Sequence, residues 1–361
     1  MKFVAFSQLP FHRWCLEQAV AAARRAGHEV VEVGHRPGHH HDWWTGAEDT
    51  KARLQRAAVG ADYLLAADYP FAPLRALLPS LTEIVSLRHS LASRGNTYEP
   101  EQFEADAIPV FSEYDERRLI PVFGRAYPGS TSPPRFPATG CSWATPVLST
   151  DRPGARAALL DRVGLRHDDP RPVVAVATTW NPWTSLDAVR ELAADPERIV
   201  IWRPHWAAAW RRPGELDEVR SFGAFVDDPL EHPSALLLGS DVLVGDVSGI
   251  VLLATLVARH PDTQNVGTPK GGLPVVMIDP DPSALLDSGQ LDATGPEWEF
   301  RDEIGPRLSA RRAPGEVAAR VTALLDRGDP WQVSRTFVGD AMAGTYTTTT
   351  SAEQLIEALT R

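Results

Sequence analysis

Gly239-Ser240-Asp241-Val242-Leu243-Val244-Gly245-Asp246-Val247-Ser248-Gly249 carries the pattern around which the second half of the chain is organised. Val242 to Val244 reads as a short buried strand that stops at a Gly-Asp turn, and Ile250 to Val257 is apolar enough for a helix packed on a sheet. A strand that runs through Asp, Ser and Gly into a helix gathers free backbone N–H groups, a hydroxyl and the positive end of a helix dipole. That combination suits a phosphate.

Three further strands flank this one. Val173 to Ala177 ends in Thr178-Thr179-Trp180-Asn181 and leads into a helix over Ser185 to Ala194, with Ser185 as its cap. Ile199 to Trp202 ends in Arg203-Pro204-His205, and Val275 to Ile278 ends at Asp279. Ligands of open α/β sheets bind beyond the carboxyl ends of the strands. Thr178, Thr179, Arg203, His205, Asp246, Ser248, Gly249 and Asp279 are therefore expected to share one crevice. Arg203 and His205 would neutralise a diphosphate, against the alternative of a surface arginine and a capped loop. Ser248 with the N–H groups of Gly249 and Ile250 would cradle a phosphate, against the alternative of an ordinary helix cap. Asp246 is given an organising role, because a carboxylate beside a phosphate needs a compensating donor.

The first half shows the same alternation. Lys2 to Phe6 and Glu29 to Val33 read as strands on either side of a helix from Phe11 to Gly27, a βαβ opening. Asp62 to Ala67, Glu83 to Leu87 and Ile108 to Phe111 are further strands, with helices over Lys51 to Val59 and Pro73 to Leu78. Tyr127 to Pro137 is loop chemistry, and Asp151 to Val163 is helical. Pro314 to Leu325 and Ser351 to Leu359 are helices, separated by Phe337 to Ala341 and the run Thr347 to Thr350. The division expected is an acceptor-side α/β domain over 1–148, a nucleotide-donor domain over 149–335 and a tail helix over 336–361 that packs back on the first domain.

Composition narrows the function. Of 361 residues, 43% are hydrophobic and 23% charged, as in globular proteins. A net charge of −11 argues against nucleic acid as a partner. The opening Met1 to Phe6 is too short for a signal peptide, and no run of about 18 apolar residues predicts a transmembrane span. A cytoplasmic location is expected. Cys15 and Cys141 read as two reduced thiols. The group His35, His39, His40, His41 and Asp42 has irregular spacing in a Gly-Pro loop and predicts no metal site. No Gly-x-Gly-x-x-Gly turn follows the first strand, so no nicotinamide or flavin is implied and no tightly bound cofactor is expected. Trp180, Trp183, Trp202, Trp206 and Trp210 crowd the region of the proposed site, mostly as packing.

The ordered set resembles the CDP-glycerol glycerophosphotransferases of teichoic acid and capsule polymer synthesis. Arg88-His89-Ser90 sits where that family has a histidine-glycine motif, and Val110-Phe111-Ser112-Glu113 is similar to the strand after it. Ala177-Thr178-Thr179-Trp180 is similar to its Pro-Thr-Trp segment, and Arg203-Pro204-His205 to its second histidine motif. Gly239 to Ser248 is similar to its Ser-Asp…Thr-Asp-Tyr-Ser-Ser signature, with Asp246-Val247-Ser248-Gly249 in place of Asp-Tyr-Ser-Ser, and Phe337-Val338-Gly339-Asp340 to its C-terminal Asp-Gly segment.

The resemblance implies an α/β fold of two Rossmann-like domains facing each other across a cleft, the GT-B type. It implies a transferase that moves a glycerol-phosphate or related alditol-phosphate group from a CDP-activated donor to an acceptor hydroxyl, on a lipid-linked acceptor or a small glycoside. His89 would be the base and His205 the second catalytic histidine, with Glu83 and Glu113 as candidates to orient His89. A lipid-linked acceptor would place the protein at the inner membrane face through the Trp43-Trp44 loop or a partner. The alternatives are a GT-B glycosyltransferase using a nucleotide sugar, a sugar-nucleotide epimerase and a non-catalytic nucleotide-binding relative.

Overall fold

The structure is a computed structural model that describes residues 1–9, 11–34, 48–67, 71–80, 83–88, 91, 103–128, 133–179, 186–260, 272–279 and 296–361. The chain divides into two compact units. Met1–Ser90, Gly95–Thr145 and Ala341–Arg361 form the first, and Leu91–Arg94 with Pro146–Asp340 form the second. Each unit holds one sheet, and every strand pairing among the described residues is parallel. Parallel strands require crossovers and bury both faces of the sheet. Two Rossmann-like α/β units are what the sequence predicts.

In the first unit, β1 (Lys2–Ser7), α1 (His12–Arg25), β2 (Glu29–Gly34), α2 (Glu48–Ala58), β3 (Tyr63–Ala66), α3 (Phe71–Leu77) and β4 (Glu83–Ser86) build a sheet of order β2-β1-β3-β4. Successive side chains point to opposite faces. Val4, Phe6, Leu64, Ala66 and Ile84 pack with Leu54 of α2 and with Phe71 and Leu74 of α3. Phe3, Ala5, Leu65 and Val85 pack with α1 and with Ala352, Leu355, Ile356 and Leu359 of the last helix, Ser351–Thr360. The C-terminal helix is thus a core element of this unit. Ahead of it, the buried Thr347 accepts at Oγ1 from the Cys141 backbone N–H (2.8 Å) and donates to the Phe111 carbonyl (2.7 Å).

Two differences from the sequence reading fall here. The expected strand over Ile108 to Phe111 is reduced to isolated bridges, Ala107 with Val85 and Arg135, and Val110 with Ala138. Pro109 has no N–H for a ladder. After it comes α4 (Glu113–Ala126), which the sequence reading missed because Pro121 and Gly124 look like breakers. Its start overrides them: Ser112 accepts from Asp115 N at 3.2 Å, and Glu113, Asp115 and Glu116 load the first turn.

The chain passes through α5 (Thr145–Ser149) and then α6 (Arg152–Arg162), which Asp151 caps by accepting from Gly154 N at 2.7 Å. The second unit continues with β5 (Val173–Ala177), α7 (Asp187–Ala193), β6 (Ile199–Arg203), α8 (Trp206–Arg211), α9 (Gly214–Ser221), β7 (Phe225–Val226), α10 (Ser234–Gly239), β8 (Val242–Gly245), α11 (Gly249–Thr255), β9 (Val275–Asp279) and β10 (Arg307–Ser309). The sheet order is β10-β9-β8-β5-β6-β7. Val174, Val176, Val200, Trp202, Val242, Val244 and Val276 pack against α7 and against Val317, Val321 and Leu324 of the helix Glu316–Arg327.

β7 and β10 are too short to carry a period. α7 begins at Asp187, with Leu186 in the cap position and no side-chain bond, while Ser185 lies outside the described residues. Phe337 to Ala341, read as a connector, lies within a helix, Gln332–Ala343. A Cβ on Gly339 would lie 2.5 Å from the Thr255 carbonyl oxygen, so this glycine serves close approach of the backbones. Among the described residues no helix is long and apolar enough to cross a membrane.

Two substitutions test the role of the tail. Leu355→Ala should lower the free energy of unfolding by about 2–5 kcal/mol. Thr347→Val should cost roughly 1–3 kcal/mol for each backbone group that it orphans. Urea unfolding checks both, and wild-type midpoints would mean that the tail is dispensable.

Candidate functional site

The order of the second sheet selects one place on its edge. From β5 the chain grows outward through β6 to β7, then returns to β8 on the opposite side of β5 and grows away through β9 to β10. Crossovers therefore leave β5 and β8 in opposite directions, and the crevice at their carboxyl ends is where open α/β sheets bind ligands. Register aligns Ala177 with Arg203 and Gly245, and Gly245 with Met277. The residues that follow, Thr178 and Thr179, His205, Asp246 and Ser248, and Asp279, lie along one edge.

At the switch itself the structure joins two of them. Asp246, 3% exposed, accepts at Oδ2 from Thr179 N (2.9 Å) and Thr179 Oγ1 (2.6 Å). This clasp ties the turn after β5 to the turn after β8. Gly245 permits it, because a Cβ there would overlap Val251 Cγ2 and approach the Ala177 carbonyl oxygen at 3.2 Å. Asp246, for which an organising role is expected, makes both bonds to Thr179 through one oxygen. Thr178 is half-buried directly beyond β5.

Ser248 occupies the cap position of α11 with extended backbone (φ −143°, ψ 156°), yet its side chain makes no capping bond. Its Oγ is buried and has no hydrogen-bond partner. The ordinary-cap reading is excluded. α11 spans 7 residues and a 3₁₀ turn, Leu256–Arg259, follows it, so its dipole contributes little; Gly249 is its first residue. Val251 N bonds back to the Ser248 carbonyl at 3.2 Å, which leaves the N–H groups of Gly249 and Ile250 ahead of the first intrahelical bond.

His205 caps α8, its Nδ1 accepting from Ala207 N at 3.2 Å. A neutral ring held in this way carries its proton on Nε2. Arg203 is turned inward. Its guanidinium donates to Asp227 Oδ2 (2.5 Å), to the Pro229 carbonyl (3.2 Å) and to the Glu231 carbonyl. Asp227 is wholly buried and is also approached by Arg162 at 3.0 Å. Burial pulls the Arg203 pKa below its ordinary value, and the charge of Asp227 opposes that shift. Arg203 is a tie for the segment after β7 where the sequence reading made it a phosphate ligand. β7 was too short to announce Asp227.

Asp279, the last residue of β9, accepts at Oδ2 from Arg307 Nε at 2.8 Å, and Arg307 also donates to Asp302 at 2.5 Å. Asp279 Oδ1 is buried without a partner. Trp202 is a core side chain, Trp206 is half-buried, and Trp180 and Trp183 lie outside the described residues. So do His35, His39, His40, His41 and Asp42; among the described residues no group of His, Cys, Asp or Glu is arranged to hold a metal.

In the first unit, His89 and Ser90 lie outside the described residues. The two carboxylates suggested to orient His89 have partners among the described residues. Glu83 pairs with Arg135. Glu113 accepts from Thr345 Oγ1 (2.5 Å) and Thr345 N (3.2 Å), and these bonds hold its pKa low. Arg88, which the sequence reading passed over, is the one non-glycine residue with positive φ (46°) among the described residues. It is 1% exposed, donates to both oxygens of Asp115 (2.9 and 2.6 Å) and to the Pro109 carbonyl (2.6 Å), and lies 4.0 Å over the Phe111 ring. Its carbonyl accepts from Trp143 Nε1 at 2.8 Å. Nothing in the sequence marks a left-handed arginine.

Arg203→Met and Asp227→Asn should each lower the free energy of unfolding by about 3–5 kcal/mol, since either removes the hydrogen-bonded ion partner of a buried charge. An Arg203→Met protein as stable as wild type would return Arg203 to the ligand.

No family model matches the sequence, and no curated protein matches it. Among solved structures, the wall teichoic acid polymerase TagF is similar at a TM-score of 0.62 and 12% identity, over 99% of this chain and 88% of that one. A TagF variant soaked with CDPG is similar at a TM-score of 0.62 and 13% identity, over 99% and 88%. From end to end, this chain has the fold of the wall teichoic acid polymerase TagF, two Rossmann-like α/β units of the GT-B class.

Proposed function

We propose that the chain is a transferase that moves a glycerol-phosphate, or a related alditol-phosphate, from a CDP-activated donor to an acceptor hydroxyl. The observation that carries the reading is the buried Ser248 Oγ without a partner beside the switch point of the second sheet. A buried hydroxyl that caps nothing costs free energy unless something bonds it. A phosphate oxygen is the acceptor that this hydroxyl and the N–H groups of Gly249 and Ile250 together suit. The fold shared with TagF, one structure of which was soaked with CDPG, supports that class of donor.

In the proposed reaction the acceptor oxygen attacks the phosphorus that bears the glycerol. The new P–O bond forms as the bond to the bridging oxygen breaks, and the electron pair leaves on CMP. His89 takes the proton from the hydroxyl. Ser248 and the Nε2–H of His205 hold the diphosphate and offset the charge that grows on the leaving group. The Asp246–Thr179 clasp fixes the turn that carries Ser248, and the tie through Arg203 fixes the segment ahead of His205.

Calorimetric titration with CDP-glycerol, CMP, CDP, UDP and ADP tests the site. Wild type should prefer the cytidine nucleotides, and Ser248→Ala should weaken binding by about tenfold or more. His89→Ala should keep the binding and lose release of CMP when CDP-glycerol and acceptor are present. A preference for UDP or ADP, with a nucleoside diphosphate as product, would favour a nucleotide-sugar glycosyltransferase. No binding of any nucleotide would remove the reading.

A further inference from the structure

Asp279 occupies a position that the sheet order gives a meaning. In the doubly-wound dinucleotide fold of order 3-2-1-4-5-6, strand 1 runs into the phosphate turn, and an acidic residue farther along the same βαβ unit takes a ribose hydroxyl. The second sheet here, β10-β9-β8-β5-β6-β7, has the same spatial order when β8 is set in the place of strand 1. The chain merely starts at a different strand. β8 then leads into the turn with Ser248, β9 takes the place of strand 2, and Asp279 is its last residue.

The side chain fits that place. Arg307 Nε, at 2.8 Å from Oδ2, fixes the carboxylate through one oxygen, while Oδ1 is buried with no hydrogen-bond partner. A carboxylate oxygen only accepts. What it lacks is a donor, and adjacent hydroxyls on a sugar are donors. The register Gly245↔Met277 sets Asp279 two residues beyond the level of Gly245, about 7 Å farther along the strand direction. Neighbouring strands lie about 5 Å apart. Together these offsets put the Asp279 backbone within about 10 Å of Gly245, a span that a nucleoside phosphate can bridge.

We infer that Asp279 is a specificity residue that accepts hydrogen bonds from the 2′- and 3′-hydroxyls of the donor's ribose, so that the site selects ribonucleotides over deoxyribonucleotides. The inference rests on the nucleotide reading of the same crevice.

The test is calorimetric titration of the full chain with CMP, UMP and AMP and with their 2′,3′-dideoxy counterparts, for wild type, Asp279→Asn and Asp302→Asn. Asp302 also pairs with Arg307, so its variant reports on loss of that ion pair alone. Thermal melts confirm that each variant is folded. Wild type and Asp302→Asn should bind the ribonucleotides roughly ten- to hundredfold more tightly than the dideoxy forms, the worth of hydrogen bonds to a charged group. Asp279→Asn should lose most of that ratio while its affinity for the dideoxy forms stays unchanged. Equal wild-type affinity for both sugars, or an equal loss for both in Asp279→Asn, would overturn the inference and leave the nucleotide site standing. No binding by any of them would overturn both.

Discussion

The second sheet reverses its direction of growth between β5 and β8, and one buried carboxylate closes the place where it does so. Asp246 is 3% exposed, and an ionised carboxylate removed from water is tolerated only when donors surround it. Thr179 supplies two of them, one from its backbone and one from its side chain. The turns after β5 and β8 are 67 residues apart in sequence, and the clasp locks them into one unit. Ser248 lies two residues beyond Asp246, so its position follows. Gly245 is part of the same constraint, because a Cβ there would overlap Val251 Cγ2 of α11 and crowd the Ala177 carbonyl oxygen at 3.2 Å.

Along this edge the polar groups sort into two kinds by whether the protein satisfies them. Arg203 bonds Asp227 through Oδ2 with Arg162 3.0 Å from Oδ1, and Thr179 bonds Asp246 through Oδ2. These are scaffold. A buried ion pair of this sort adds little net stability over an apolar core of equal volume, yet loss of one member is costly. It therefore defines one arrangement of the β6–β7 side of the sheet more than it stabilises the fold. Ser248 Oγ and Asp279 Oδ1 are buried with no hydrogen-bond partner among the described residues. Buried polar groups left in that state call for an explanation, and a bound ligand is one.

The sequence reading found most of the strands and the residues that end them because apolar runs stop abruptly at Thr178, Arg203, Asp246 and Asp279. It did not find the sheet order. Adjacency of β5 and β8 across the whole β6–β7 excursion is a tertiary fact that no local period records. For the same reason Arg203 was assigned to the ligand: its partner Asp227 follows a strand of 2 residues that hydrophobic patterning does not detect. Helix α4 contains Pro121, which obscures the Ser112-x-x-Asp115 start, and the helix Gln332–Ala343 contains Gly339, which marks close packing on Thr255. Arg88 illustrates the limit. A left-handed backbone at a buried arginine costs about 1–3 kcal/mol and persists only when its surroundings over-determine it. Those surroundings, Asp115, Pro109, Phe111 and Trp143, come from later segments of the chain.

The motif that first suggested a phosphate site departs from the signature it resembles in a way the structure makes interpretable. Where that signature has Asp-Tyr-Ser-Ser, this chain has Asp246-Val247-Ser248-Gly249. The aspartate stands at the position that clasps Thr179 through Oδ2. Val247 is 2% exposed, so the tyrosine is replaced by a smaller apolar side chain at a place now closed to solvent. Gly249 removes a hydroxyl from the first turn of α11 but leaves its N–H in place. On the proposed reading, what remains of the cradle is the Ser248 hydroxyl and two backbone donors, so the grip on a phosphate would depend on one side chain, and discrimination between donors would fall to groups farther along the edge such as Asp279.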